Sequence, residues 1–313
     1  MYRPPSILIT GGSGLLALNW AAFLRDNNPV TLGIHQRNIS LAGVQTRQIN
    51  LESVDHLTRS FEMIKPRIVI HTAGFTNVDK CEDEPSLAQH INVELAANVA
   101  QASAKLGLQL VHISTDHLFS GELPLADETK QVAPINVYGR TKAEAEFRVM
   151  EAHPQAIVMR TNFYGWGPTY RRSFSDVIIE ALRSGKKLTL FKDVFYTPIL
   201  IEIAARAVHD LINLKASGIF NVVGDERISK YEFGLKIAEK FNLDSGLITP
   251  GLLADQVALV KRPHDMSLSN HKTCNLLGRK LGEINDHIAR LYQQECIGFA
   301  QEMQMSEVLK IAE

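Results

Sequence analysis

Short apolar runs alternate with stretches of helical spacing through the first half of the chain. Ser6 to Thr10 is β-branched and apolar, and Val30 to Ile34, Gln45 to Ile49, Arg67 to His71, Leu108 to Ser114 and Ala156 to Met159 read as further strands. Between them, Gly14–Arg25, Ser53–Ile64, Pro85–Leu106 and Tyr138–Ala152 repeat apolar residues at the interval of a helix with one buried face. Strand and helix in alternation predict βαβ crossovers and a parallel sheet covered on both sides. Runs such as ILI, IVI and LVHI are apolar at successive positions, as strands with two buried faces require.

After about residue 160 the rhythm changes. Phe163–Arg172 (FYGWGPTYRR) is aromatic and glycine-rich and reads as a loop lining a pocket. A helix over Phe174–Ser184, strands near Leu188–Phe191 and Ile219–Val223, and a helix over Ser229–Phe241 follow. Ser229 and Glu232 form a capping box at the start of that last helix. Glu283–Glu313 reads as one or two amphipathic helices. The expected fold is therefore α/β, a Rossmann-type doubly wound parallel sheet with a smaller C-terminal α+β substrate lobe. Residues 1–162 form the dinucleotide-binding domain and 163–313 mainly the substrate lobe, with some segments returning to the first domain.

Composition narrows the class. The formal charge is -1, from 33 basic and 34 acidic residues without like-charged blocks, which argues against nucleic acid or an anionic membrane as partner. Cys81, Cys274 and Cys296 are far apart and odd in number, which suits a reducing compartment rather than a disulfide framework. No apolar run approaches the ~18 residues of a membrane span. MYRPPSILIT lacks the pattern of a secretory leader, so the expected location is the cytoplasm. Histidines lie without zinc-ligand spacing, and no metal is assigned.

Two motifs carry the chemistry. Thr10-Gly11-Gly12-Ser13-Gly14-Leu15-Leu16-Ala17 leaves a strand and opens a helix, the setting of a dinucleotide fingerprint. Gly11 permits the tight turn, Gly14 lets the backbone approach a pyrophosphate, and Ala17 stands for the third glycine. The helix start offers N–H groups and a partial positive charge to phosphate. The second strand ends in Gly33-Ile34-His35-Gln36-Arg37, without the acid that meets an NAD ribose. Arg37, with His35, suits a 2′-phosphate, so NADP is preferred and NAD is the alternative. Asn50 and Leu51, closing the third strand, flank the adenine or simply form a turn.

The second motif is Thr115 at a strand end followed by Tyr138 and Lys142 in VYGRTK. Reduction of a ketone creates an alkoxide, and a phenol within reach can protonate it. A tyrosine ordinarily titrates near ~10, and a cation on the same helix face eases loss of its proton. Lys142 supplies that cation and can bond the nicotinamide ribose, while Thr115 holds the carbonyl oxygen. Arg171 and Arg172 beside Tyr164, Trp166 and Tyr170 suit a nucleotide diphosphate and its base, or else form a loop held by its own aromatics. The acidic stretch Asp79–Glu84 reads as a solvated loop and helix start, with Cys81 inert beside it.

With these residues in hand, the chain resembles an extended short-chain dehydrogenase/reductase, and within that the dTDP-4-dehydrorhamnose reductase group. The likeness rests on ITGGSGLLA, HTAGFTNVDKCEDEP, INVELAANVA, HISTDHLFSG, PINVYGRTKAEAE, VMRTNFYG and KRPHDMSLSNHK. It implies Thr115, Tyr138 and Lys142 as catalytic residues and Thr72, Ala73 and Gly74 as cofactor lining, with Asn92 supporting the site. It also implies that Asp116 shares the substrate side with Thr115, that Phe163 lies beside the sugar, and that Arg262 closes the nucleotide-sugar pocket. HTAG, His117, FYTPIL and RTNFYGWGPTYRRSF depart from the group's usual sequence, mostly on the substrate side. The expected activity is NAD(P)H-dependent reduction of a 4-keto nucleotide-linked deoxysugar. Alternatives are a redox-neutral epimerase or dehydratase, and a non-catalytic subunit like the regulatory subunit of methionine adenosyltransferase. The C-terminal helices pair into a homodimer or cap the monomer.

Overall fold

Every residue of β1 (Ile7–Thr10) is buried, with Ile7 and Ile9 in one core and Leu8 in a second core. A strand apolar on both sides belongs in the middle of a sheet covered by two layers. It lies there in the computed structural model, which describes residues 4–256 and 258–308. The chain continues through α1 (Leu15–Leu24), β2 (Val30–Ile34), β3 (Gln45–Gln48), α2 (Val54–Ile64), β4 (Ile68–His71) and α3 (Val78–Asp83). Then come α4 (Pro85–Gln89), a π turn (His90–Glu94), α5 (Leu95–Lys105), β5 (Gln109–Ile113), α6 (Val137–Ala152) and β6 (Ile157–Arg160).

The remainder supplies β7 (Phe163–Tyr164), α7 (Phe174–Arg183), β8 (Leu188–Phe191), β9 (Phe195–Tyr196), β10 (Ile199–Leu200), α8 (Ile201–Asn213) and β11 (Gly218–Asn221). It ends with β12 (Ile228–Ser229), α9 (Lys230–Lys240), β13 (Ile248–Gly251), α10 (His271–Leu277), α11 (Ile284–Cys296) and α12 (Phe299–Gln304). Ser229 and Glu232 do form the capping box that opens α9.

Seven strands pair in parallel in the order β11-β6-β5-β4-β1-β2-β3. The winding reverses between β1 and β4, which leaves a crevice beyond the carboxyl ends of these strands. This is the doubly wound α/β architecture. On one face α2, α5 and α6 pack together, and elsewhere α1 packs on α8. Among the described residues no helix is long and apolar enough to cross a membrane.

Two features differ from the sequence pattern. β3 (QTRQ) is largely exposed, because an edge strand has one neighbour and polar side chains keep its open edge from pairing elsewhere. The helix expected over 85–106 is interrupted by the π turn, a distortion that concentrates at functional positions. β11, from the second half, returns to the main sheet beside β6. After α12 the chain turns back to bridge Glu307 with Ile39, and the part of the expected helix beyond residue 308 lies outside the described residues.

Candidate active site

The crevice is a cavity of about 600 Å³ at the carboxyl ends of β1, β4 and β5. Gly11, Ser13, Gly14, Leu15 and Leu16 line it from the glycine turn, and Thr72, Ala73 and Gly74 line it from the end of β4. Thr115, Asp116, Tyr138, Lys142, Arg37 and Phe163 complete the overlap with the expected site. Residues from distant parts of the chain thus meet in one cleft.

The turn is built for close approach. Gly11 has φ +74°, and a Cβ there would lie 2.6 Å from the Ala73 nitrogen. Gly14 is the N-cap of α1 and offers no side chain to its first N–H groups, which leaves them available to an anion. Ser114 Oγ, His117 Nδ1 and Thr161 Oγ1 are buried in the cleft lining with no hydrogen-bond partner among the described residues. A glycine cradle, an uncapped helix start and unpaired polar atoms together fit a dinucleotide carrying phosphates and an amide.

Asn136 caps α6 by accepting from the Gly139 N–H, which fixes where Tyr138 begins its turn. Glu82 of α3 accepts from the Val137 N–H at 2.8 Å, so the acidic stretch helps hold the helix that carries the phenol. Asn92, in the π turn, accepts from the Phe75 N–H at 2.7 Å and donates to the Phe75 carbonyl and the Thr141 hydroxyl. It therefore ties the loop after β4 to α6 from behind the cleft.

Burial pushes the Tyr138 phenol up to about 12, the Thr115 hydroxyl beside it offsets part of this, and Asp116 adds to the rise. Lys142 is not among the groups that shift it; its ammonium donates to the Ile113 carbonyl at 2.6 Å. Burial pushes Lys142 down to about 8, with Glu146 pulling the other way. The His117 ring meets Tyr138 edge-on at 5.4 Å. The Cys81 thiol is buried, donates to the Phe75 carbonyl and is pushed up to about 11, so it is a poor nucleophile.

Other expected residues sit elsewhere. Asn50 lies outside the cleft, where it accepts from the Glu52 N–H and lines a separate cavity with His35 and Gln48. The Leu51 carbonyl accepts from Asn98 while its side chain packs on the second core. Arg262 pairs with Asp79 at 2.5 Å rather than opening into the cleft. Tyr164 and Trp166 are core residues, Tyr164 packing on Phe233 and Trp166 donating to the Leu291 carbonyl. Neither is free to stack on a base. Arg171 and Arg172, by contrast, do line the cleft, where Arg171 bonds the Thr76 hydroxyl and Arg172 pairs with Glu180.

Three residues have roles that sequence reading missed. Asn162 donates to the Asp116 carboxylate. The Tyr170 hydroxyl donates to the Ser13 carbonyl at 2.7 Å, which ties the aromatic loop to the glycine turn. Lys230 stands 3.4 Å from the centre of the Tyr196 ring, pushed down to about 8 by burial and held up in part by Asp116. Of these, Tyr170 alone carried a signal, as a member of a polar aromatic loop.

A family model described as "RmlD substrate binding domain" matches residues 5–296. The chain belongs to that family. Its fold is that of the extended short-chain dehydrogenase/reductases. It is 27% identical over 287 residues to a "Probable low-salt glycan biosynthesis reductase Agl14" of Haloferax volcanii, covering 90% of this chain and 96% of that one. It is 28% identical over 278 residues to methionine adenosyltransferase 2 subunit beta of Mus musculus, covering 85% of this chain and 80% of the other. The crystal structure of dTDP-4-dehydrorhamnose reductase from Bacillus anthracis, in complex with NADP, superposes with a TM-score of 0.84 at 26% identity, covering 93% of this chain and 100% of that one.

Proposed function

We propose that this protein is a nicotinamide-dependent reductase of a 4-keto nucleotide-linked sugar, similar in reaction to dTDP-4-dehydrorhamnose reductase. The carrying observation is that the glycine turn and Thr115, Tyr138 and Lys142 share one cleft at the switch point of the sheet. The family relation to reductases of this kind supports the same reading.

Gly11, Ser13, Gly14, Leu15 and Leu16 would receive the pyrophosphate, with Thr72, Ala73 and Gly74 along the dinucleotide. Arg37 faces the adenosine end, which makes NADP the preferred form. When bound, the nicotinamide supplies a hydride to the ketone carbon. Tyr138, kept protonated by its raised pKa, donates its proton to the ketone oxygen. Thr115 orients that oxygen, and the Lys142 ammonium, anchored on the Ile113 carbonyl, holds the ribose. Asp116, fixed by Asn162, and Phe163 lie on the sugar side. In this reading residues 1–162 serve mainly the dinucleotide and 163–313 mainly the sugar nucleotide.

One observation favours a second reading. The methionine adenosyltransferase subunits are similar over most of this chain, so a binding role for a partner enzyme is the rival. Incubating the protein with NADPH and a 4-keto sugar nucleotide separates them. Steady loss of absorbance at the reduced-nicotinamide band is expected from a reductase. No net loss, with the dinucleotide bound, would sink the reductase and leave the redox-neutral or binding roles.

A further inference from the structure

The chain after α12 is held firmly against the exit of β2. Ser40 N–H donates to the Ser306 carbonyl at 2.9 Å, and Val308 N–H donates to the Asn38 carbonyl at 3.1 Å. Ser306 and Met303 are buried, and Glu302 grips Arg25 with both carboxylate oxygens. This anchoring sets Glu307 on the Arg37 guanidinium as an ion pair. Arg37 in turn sits over the Tyr170 ring, 3.8 Å from its centre, and Tyr170 is tied to Ser13. Arg37 and Glu307 line a cavity of about 480 Å³ with Ser13, His35, Gln36 and Asn38. Ser13 and Arg37 also line the main cleft, so the two cavities adjoin at the glycine turn.

We infer that Glu307 is a cofactor-discriminating residue, which supplies from the far end of the chain the carboxylate that β2 lacks. This rests on the dinucleotide reading of the cleft given above. A 2′-phosphate brings between one and two negative charges to Arg37, and there it meets a carboxylate already bonded to the same guanidinium. Like charges at one site oppose each other, so the phosphate gains less from Arg37 than from an unengaged arginine. A ribose hydroxyl has the opposite relation to Glu307, because it can donate to the carboxylate. Glu307 thus narrows the advantage of NADP over NAD.

Dissociation constants for NADP and NAD, measured by titration calorimetry, test this on the full chain. Glu307→Gln should tighten NADP roughly fivefold, the scale of an ion pair of this exposure, while NAD binds equally well or more weakly. Glu307→Asp should stay close to the parent ratio, and adding Arg37→Gln to Glu307→Gln should abolish the gain. An unchanged ratio in Glu307→Gln, with an unchanged melting temperature, overturns the inference. Equal tightening of both dinucleotides also overturns it, since that marks a steric effect of the segment. If the parent chain binds neither dinucleotide, the reductase reading fails as well, which distinguishes the two failures.

Discussion

The Lys142 ammonium faces Nε2 of His112 at 3.4 Å in the floor of the cleft. His112 stacks on His71 with ring centres 5.5 Å apart, and the Thr10 hydroxyl bonds His71 Nδ1 at 2.7 Å. Burial pushes both rings far below the ordinary histidine range, so His112 stays neutral and its Nε2 is an acceptor. The lysine therefore rests on two neutral acceptors, a carbonyl and an imidazole, and is pushed down to about 8.

A pH profile follows from that value. Lys142 is lowered, so it carries its charge below about 8 and loses it above. Tyr138, raised to about 12, keeps its proton throughout. The efficiency of ketone reduction should be level in neutral solution and fall about tenfold per pH unit above about 8. A profile level to pH ~10 would exclude any requirement for the ammonium.

Replacing the proton donor gives a second outcome. Tyr138→Phe should lower turnover ~100- to 10,000-fold, the cost of losing a general acid, while dinucleotide affinity changes little. Near-normal turnover would remove Tyr138 from the chemistry.

These two residues were legible in the sequence because their relation is local: one turn of helix separates them, and Asn136 caps that turn. The glycine turn was legible for the same reason, since Gly11 adopts a φ that few other residues accept. Contacts across long stretches of chain left no such trace. The pairings of Asn162 with Asp116, Tyr170 with Ser13 and Glu307 with Arg37 depend on the docking of loops. Tyr164 and Trp166 stayed open between two readings because an aromatic residue beside glycines looks alike whether it lines a pocket or packs within the protein, and here the core claims both.

Stability rests partly on α6 as well. Glu146, one turn beyond Lys142, accepts from Arg160 through both oxygens at 2.7 to 3.2 Å, and both side chains are buried. Glu146→Ala should cost ~3–5 kcal/mol in urea unfolding, because it strands a buried guanidinium. The double replacement of Glu146 and Arg160 by leucine should cost less than the single change. The reverse order would mean that the pair itself, rather than an orphaned charge, dominates.

Acid should weaken the fold. Burial pushes His71 down to about 3 and His209 down to about 4, and it lowers His112, His117 and His287. As pH falls from 6.5, the unfolded chain takes up protons that these folded rings refuse, so stability drops by up to ~1.4 kcal/mol per pH unit for each ring. The exposed His90, raised by Glu94 and Glu52, acts in the opposite sense but weakly. His209 Nε2 accepts from Trp20, and His209→Gln should flatten the slope by one ring's share. A urea midpoint unchanged between pH ~7 and ~5 would mean that the folded rings do accept protons.

The return of β11 to the edge of β6 has a consequence for how this chain can be divided. Until Gly218–Asn221 has been synthesised, one side of β6 presents unpaired N–H and C=O groups, a template for joining another copy. A fragment stopped at residue 162 keeps that open margin and should self-associate. The two halves are not separate in how they are built, and any chimera that exchanges the second half must bring its own closing strand.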